Sequence, residues 1–90
     1  MTEPRNPHLR AALMEVIENQ LRDGTPIETR KTLARLMSLG FTRERAMELI
    51  GCVLTAEMFD MQKAKETYNE SRYLSRLQAL PEMPWEKEDD

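Results

Sequence analysis

Between Ala46 and Met61 the apolar residues are Ala46, Met47, Leu49, Ile50, Cys52, Val53, Leu54, Ala56, Met58, Phe59 and Met61. At 3.6 residues per turn they cover most of a helix's circumference. A helix apolar on so many sides is central to its fold or lies at an interface. The chain has 90 residues, enough for one domain around that helix and no more. The rest of the sequence must therefore supply shorter helices to cover it.

The boundaries of those helices are legible. Thr42 is placed to cap the long helix, predicted from about Arg43 to Ala64. Upstream, Asn6-Pro7 opens a first helix, since Asn caps well and Pro fits a position whose N–H goes unbonded. Leu9, Leu13, Val16, Ile17 and Leu21 give that helix its stripe, and Asp23-Gly24 ends it. Thr25-Pro26-Ile27-Glu28 has capping-box spacing and predicts a second helix with Leu33, Leu36 and Met37 inward. Gly40 stops it, and Phe41 is placed to fold back on the helix end. After a polar connection at 63–68, Asn69 caps a short fourth helix carrying Tyr73, Leu74, Leu77 and Leu80, and Pro81 ends it. The prediction is an all-α domain, a small four-helix array with short connections over residues 6–80. Residues 1–5 form an N-terminal arm and 81–90 an acidic tail outside the core. Gly51 lies inside the long helix, where glycine is unfavourable, and predicts close approach of another backbone.

The net charge of −3 is unevenly spread. Glu82, Glu86, Glu88, Asp89 and Asp90 against Lys87 put −4 into the last nine residues, leaving +1 for the first 81. No apolar run is long enough to cross a bilayer, and the start has no apolar signal region. The single cysteine, Cys52, excludes an internal disulfide, and a cytoplasmic location is the expectation.

Chemistry-bearing clusters are sparse. Nucleophilic catalysis needs a nucleophile, a base and an orienting group within reach, but Cys52 lies in the most apolar helix and the lone His8 in a first turn. Zinc would need more Cys and His than one of each, and neither Glu-x-x-His pairs nor a phosphate-cradling glycine loop occurs. The expectation is a non-enzyme without cofactor or metal. Arg30, Lys31, Arg35, Arg43 and Arg45 against Glu44 form a local basic region around a helix–turn–helix-like segment, Leu39-Gly40-Phe41-Thr42. This makes nucleic-acid binding the rival function. Leu36 stands where such units carry a small residue, and Glu44 and Glu48 would face phosphates.

Two polar residues fall inside apolar stripes: Gln20 on the first helix and Glu57 on the third. A buried carboxylate without partners costs several kcal/mol. The economical expectation is a mutual bond, the Gln20 amide donating to Glu57, with Arg30 adding charge from the second helix. Met37, Met47, Met58 and Met61 read as core filler.

Asn6-Pro7-His8-Leu9, Glu18-Asn19-Gln20-Leu21, Pro26, Arg35-Leu36, Gly40, Ala46, Glu57 and Tyr73 with Leu77 stand in an order that resembles a bacterial family of small helical domains of unknown function. The resemblance spans most of residues 6–80. It implies no transferable activity. Family members carry histidines where this chain has Arg10, Met14 and Glu48, which implies a metal site between the first and third helices that is degenerate here.

Covering the long helix is the remaining problem. Helices 1 and 2 can hide its Ile50–Val53–Leu54 side, but the Cys52–Phe59 side needs the short fourth helix, Trp85 or a second chain. The leading expectation is a protein-interaction or regulatory domain, possible as a homodimer, that works through Cys52, Phe59 and Trp85.

Overall fold

The computed structural model describes residues 7–83. They form four α-helices: α1 (Pro7–Asp23), α2 (Ile27–Ser38), α3 (Arg43–Ala64) and α4 (Glu70–Ala79). No strand occurs among the described residues. α3 is the hub: α1, α2 and α4 all pack on it, and α2 bridges α1 and α4. α1 and α3 run in opposite senses. Arg43 at the start of α3 pairs with Glu18 late in α1, while Leu9 early in α1 lies beside Met58 late in α3.

Most of the expected ends form. α2 closes in a Schellman turn: Phe41 N–H donates to the Leu36 carbonyl (3.2 Å), Gly40 N–H to that of Met37 (3.0 Å), and Gly40 takes φ +106°. Phe41 folds back on the core as that motif favours. The Thr42 hydroxyl accepts from Arg45 N–H, and Asn69 Oδ1 accepts from Arg72 N–H, capping α3 and α4. α3 ends on Lys65 in the left-handed region, φ 54°.

The capping box at Thr25 does not form. α2 starts one residue later than that box requires, with Pro26 as its N-cap and no side-chain cap bond. The Thr25 N–H is turned back to the Gln20 carbonyl, alongside that of Gly24, so Thr25 belongs to the end of α1. Asn6 lies outside the described residues.

The core is Ile17, Leu36, Ala46, Met47, Leu49, Ile50, Val53, Tyr73, Leu77 and Leu80. Leu9 and Val16, expected in the α1 stripe, sit at its edge and are exposed. The four methionines divide: Met47 fills the core, Met61 is half-buried, and Met37 and Met58 are exposed. Met83 packs against the core, so the folded unit runs past the expected boundary at residue 80. Residues 84–90, with Trp85, lie outside the described residues.

The expectation for Gly51 is corrected. What faces it is side chains, not backbone: a methyl there would sit 3.8 Å from Ile17 Cδ1 and 3.8 Å from Met14 Cε, ordinary contact distances. Gly51→Ala is therefore expected to raise stability by about 1 kcal/mol, since alanine restores helix propensity without a clash. Urea unfolding checks this; a loss of stability would show that α1 has to approach more closely than these distances.

Candidate functional site

Two features stand out where α3 runs toward its C-terminal end, and they adjoin at Glu66, which lines both.

The first is an ion network between α3 and α4. Glu57 is 2 % exposed. Its carboxylate accepts from Arg72 Nε (2.7 Å), Arg72 Nη2 (3.0 Å) and Arg76 Nη1 (3.0 Å). Arg72 also pairs with Glu66 (2.7 Å) and Arg76 with Asp60 (2.7 Å). The spacing explains the assembly: Arg72 and Arg76 are four apart on one face of α4, and Glu57 and Asp60 three apart on one face of α3. Its bonds to Glu57, then to Glu66, hold Arg72 still more firmly protonated than a free guanidinium. A shallow cleft lined by Asp60, Lys63, Ala64, Glu66, Arg72 and Arg76 opens beside the network.

Glu57 is thus buried as the stripe required, but Gln20 is not its partner. Gln20 Oε1 is occupied by the Thr29 hydroxyl (2.8 Å) and the Tyr73 hydroxyl (3.1 Å). Hydroxyl donors from α2 and α4 satisfy Gln20, and two guanidiniums satisfy Glu57, the stronger match for a carboxylate. Burial, more than its neighbours, pushes the Tyr73 phenol above its ordinary range. Arg30 does not reach Glu57 either. It donates to the Leu21 carbonyl (2.6 Å) at the end of α1 and packs on Gly24. No buried polar side-chain atom among the described residues lacks a partner.

The second feature is an apolar groove between the start of α1 and the last turns of α3, lined by Leu9, Thr55, Met58, Phe59, Met61, Gln62 and Glu66. Phe59 is 63 % exposed and Met58 46 %. Phe59 follows Glu57 by two residues, about 200° round the helix, so it faces away from α4. Cys52, expected on the same surface, is instead 1 % exposed and part of the interior.

Four of the five basic residues proposed for nucleic acid are engaged within the fold. Arg30 holds the end of α1. Arg35 donates to the carbonyls of Leu80 (2.6 Å), Leu77 (2.9 Å) and Gln78 (3.3 Å) at the end of α4. Arg43 pairs with Glu18 (3.2 Å) and Arg45 with Glu48 (3.0 Å). Lys31 is exposed on α2. Helix ends and acidic neighbours draw in arginines that composition alone displays as a basic patch.

Arg10 and Glu48, two of the three positions named above for a degenerate metal site, meet across α1 and α3 at 2.6 Å, and Met14 lies close by over Gly51. Here the contact is an ion pair. No group of three or more metal-ligating side chains occurs among the described residues. Hydrogen bonds from Arg10, then Arg45, hold the Glu48 carboxyl below its ordinary 4.5. A depressed folded pKa stabilises above the unfolded value, and that contribution disappears as pH falls through the folded one. The stability gap between the native chain and Glu48→Gln is expected to stay constant above about pH 5.5 and to shrink below about pH 4.5. Urea midpoints across pH check this; a gap independent of pH would refute it.

Among the described residues no helix is long and apolar enough to cross a membrane. Comparison with protein-family models, with curated proteins and with solved structures found no match.

Proposed function

We propose that this chain is a non-enzymatic helical interaction domain whose docking surface is the groove at Leu9, Met58 and Phe59. The observation that carries the reading is Phe59: a large aromatic 63 % exposed beside an apolar hollow, on the helix that organises the whole fold. Exposed aromatic and methionine side chains around a hollow provide the desolvated centre that interfaces need. The buried polar groups, by contrast, are satisfied internally, as a structural role requires. The engaged arginines give the nucleic-acid alternative little free charge to work with.

The test is affinity capture from source-cell lysate with the native chain and with Phe59→Glu. Captured proteins that disappear with Phe59→Glu, at unchanged helical content by circular dichroism, support the reading. An identical capture profile from both chains overturns it.

A further inference from the structure

From the way α4 is joined and held we infer that two copies of this chain exchange it. Residues 65–69 straighten, α3 and α4 become one helix, and each α4 takes the place of the other copy's on α2 and α3. The inference is independent of the docking reading above.

The first reason is where the contacts of α4 begin. Residues 65–69, its covalent link to α3, are exposed and outside any helix. α1, α2 and α3 pack pairwise on one another without it. Arg72 and Arg76 reach Glu57 on α3, and Arg35 of α2 reaches the last carbonyls of α4. The Tyr73 hydroxyl reaches Gln20, and the Tyr73, Leu77 and Leu80 side chains are buried. Each of these contacts lies across the link, between residues before 61 and residues after 71. None requires the two sides to belong to one chain, and a second copy offers an identical seat.

The second reason is the link itself. Lys65 takes φ 54°, a left-handed conformation that is costly with a Cβ and that glycine usually fills at a helix end. Lys65-Glu66-Thr67-Tyr68-Asn69 contains neither Gly nor Pro, so nothing in it forbids a helix. Straightening removes the left-handed residue and carries the helical hydrogen-bond ladder through the break. The contacts given up are the Asn69 cap, the half-exposed Glu66–Arg72 pair and the Tyr68–Tyr73 ring contact. Short links under strain favour such exchange.

The third reason fixes the occupant. In a continuous helix Arg72 would stand about 22 Å along the axis from Glu57, out of its reach. Glu57 is 2 % exposed and needs a guanidinium. The α4 of a second copy supplies Arg72 and Arg76 at the same spacing, with the tyrosine and leucines that close the core. Reciprocal exchange has two-fold symmetry and leaves neither seat empty.

The test is refolding of the intact chain from urea at on the order of 1 mM, where a second copy competes with the tethered α4. Size exclusion with light scattering should show two species, one of 10.5 kDa and one of twice that mass. Lys65→Gly eases the closed turn and disfavours a continuous helix. It should weaken the dimer at least about fivefold for each link, about 25-fold for the two. Deleting Thr67 and Tyr68 should shift the chain toward the dimer, and Phe59→Glu should leave the dimer fraction unchanged.

A single 10.5 kDa species at every refolding concentration overturns the exchange. So does a dimer that Lys65→Gly leaves undiminished, a result that stands even where the shortened chain fails to fold. A dimer lost with Phe59→Glu is a surface contact at the groove; it overturns the exchange of α4 and leaves the docking reading in place.

Discussion

Glu57→Ala is expected to destabilise the fold by about 3 kcal/mol. The carboxylate is 2 % exposed and accepts three hydrogen bonds from two guanidiniums. Breaking a buried pair by removing one member costs about 3–5 kcal/mol, because the other charge is left without compensation. Here Arg72 keeps Glu66 and Arg76 keeps Asp60, which places the effect at the lower end. For a domain of this size that corresponds to a fall in melting temperature of about 12–24 °C. Glu57→Gln, which keeps the shape and one acceptor, should fall between the two. A double-mutant cycle with Arg76→Ala should return much of the loss, since that arginine's side chain is only 10 % exposed and suffers most from losing Glu57. A loss below about 1 kcal/mol for Glu57→Ala would mean that both arginines swing into solvent at little cost.

Arg35→Ala is expected to cost about 2 kcal/mol and to loosen α4 selectively. α4 has 10 residues, too few to be helical alone in water, so it depends on what holds it. Arg35 reaches across from α2 to three carbonyls at its C-terminal end, where both charge and donors are wanted. Arg35→Lys should restore only part of the loss, because a point charge cannot reproduce a planar fork over three acceptors. Amide hydrogen exchange in α4 should accelerate more than in α1. Equal acceleration in both helices would show that Arg35 supports the whole core and not α4 in particular.

Backbone elements were readable because their signals are local. Gly40 with Phe41, and Thr42 and Asn69 as caps, act within one helical turn, and all are realised. Thr25 carried an equally good local signal and misled, because the end of α1 claims its N–H. That competition is set by how two helices meet. The burial of Glu57 was legible for a similar reason: periodicity fixes which face a residue occupies. Its partners were not. Arg72 and Arg76 lie on α4, and nothing along the chain says which face of α3 that helix covers. The basic region misled in the same way, since the acceptors of Arg30 and Arg35 are carbonyls at helix ends and composition does not record carbonyls. Phe59 and Cys52 belong to one apolar run, yet Phe59 is 63 % exposed and Cys52 1 %; Cys52 is buried, as an isolated cysteine in the most apolar helix favours, and does not reach the surface that Phe59 lines.

The Gln20 amide oxygen has a consequence for alignment. Apolar contacts carry no directional bonds, so small adjustments between helices that conserve the buried volume cost little. A single acceptor shared by Thr29 and Tyr73 is not tolerant, because a helix displaced by one residue moves about 1.5 Å along its axis and turns about 100°. Either displacement removes the oxygen from both hydroxyls at once, and both donors belong to fully buried residues. Gln20 thereby acts as a detent: it admits one setting of α1 against α2 and α4 and penalises its neighbours. On that account replacing it with an apolar residue of similar size would widen the range of helix registers sampled more than it would lower the free energy of folding.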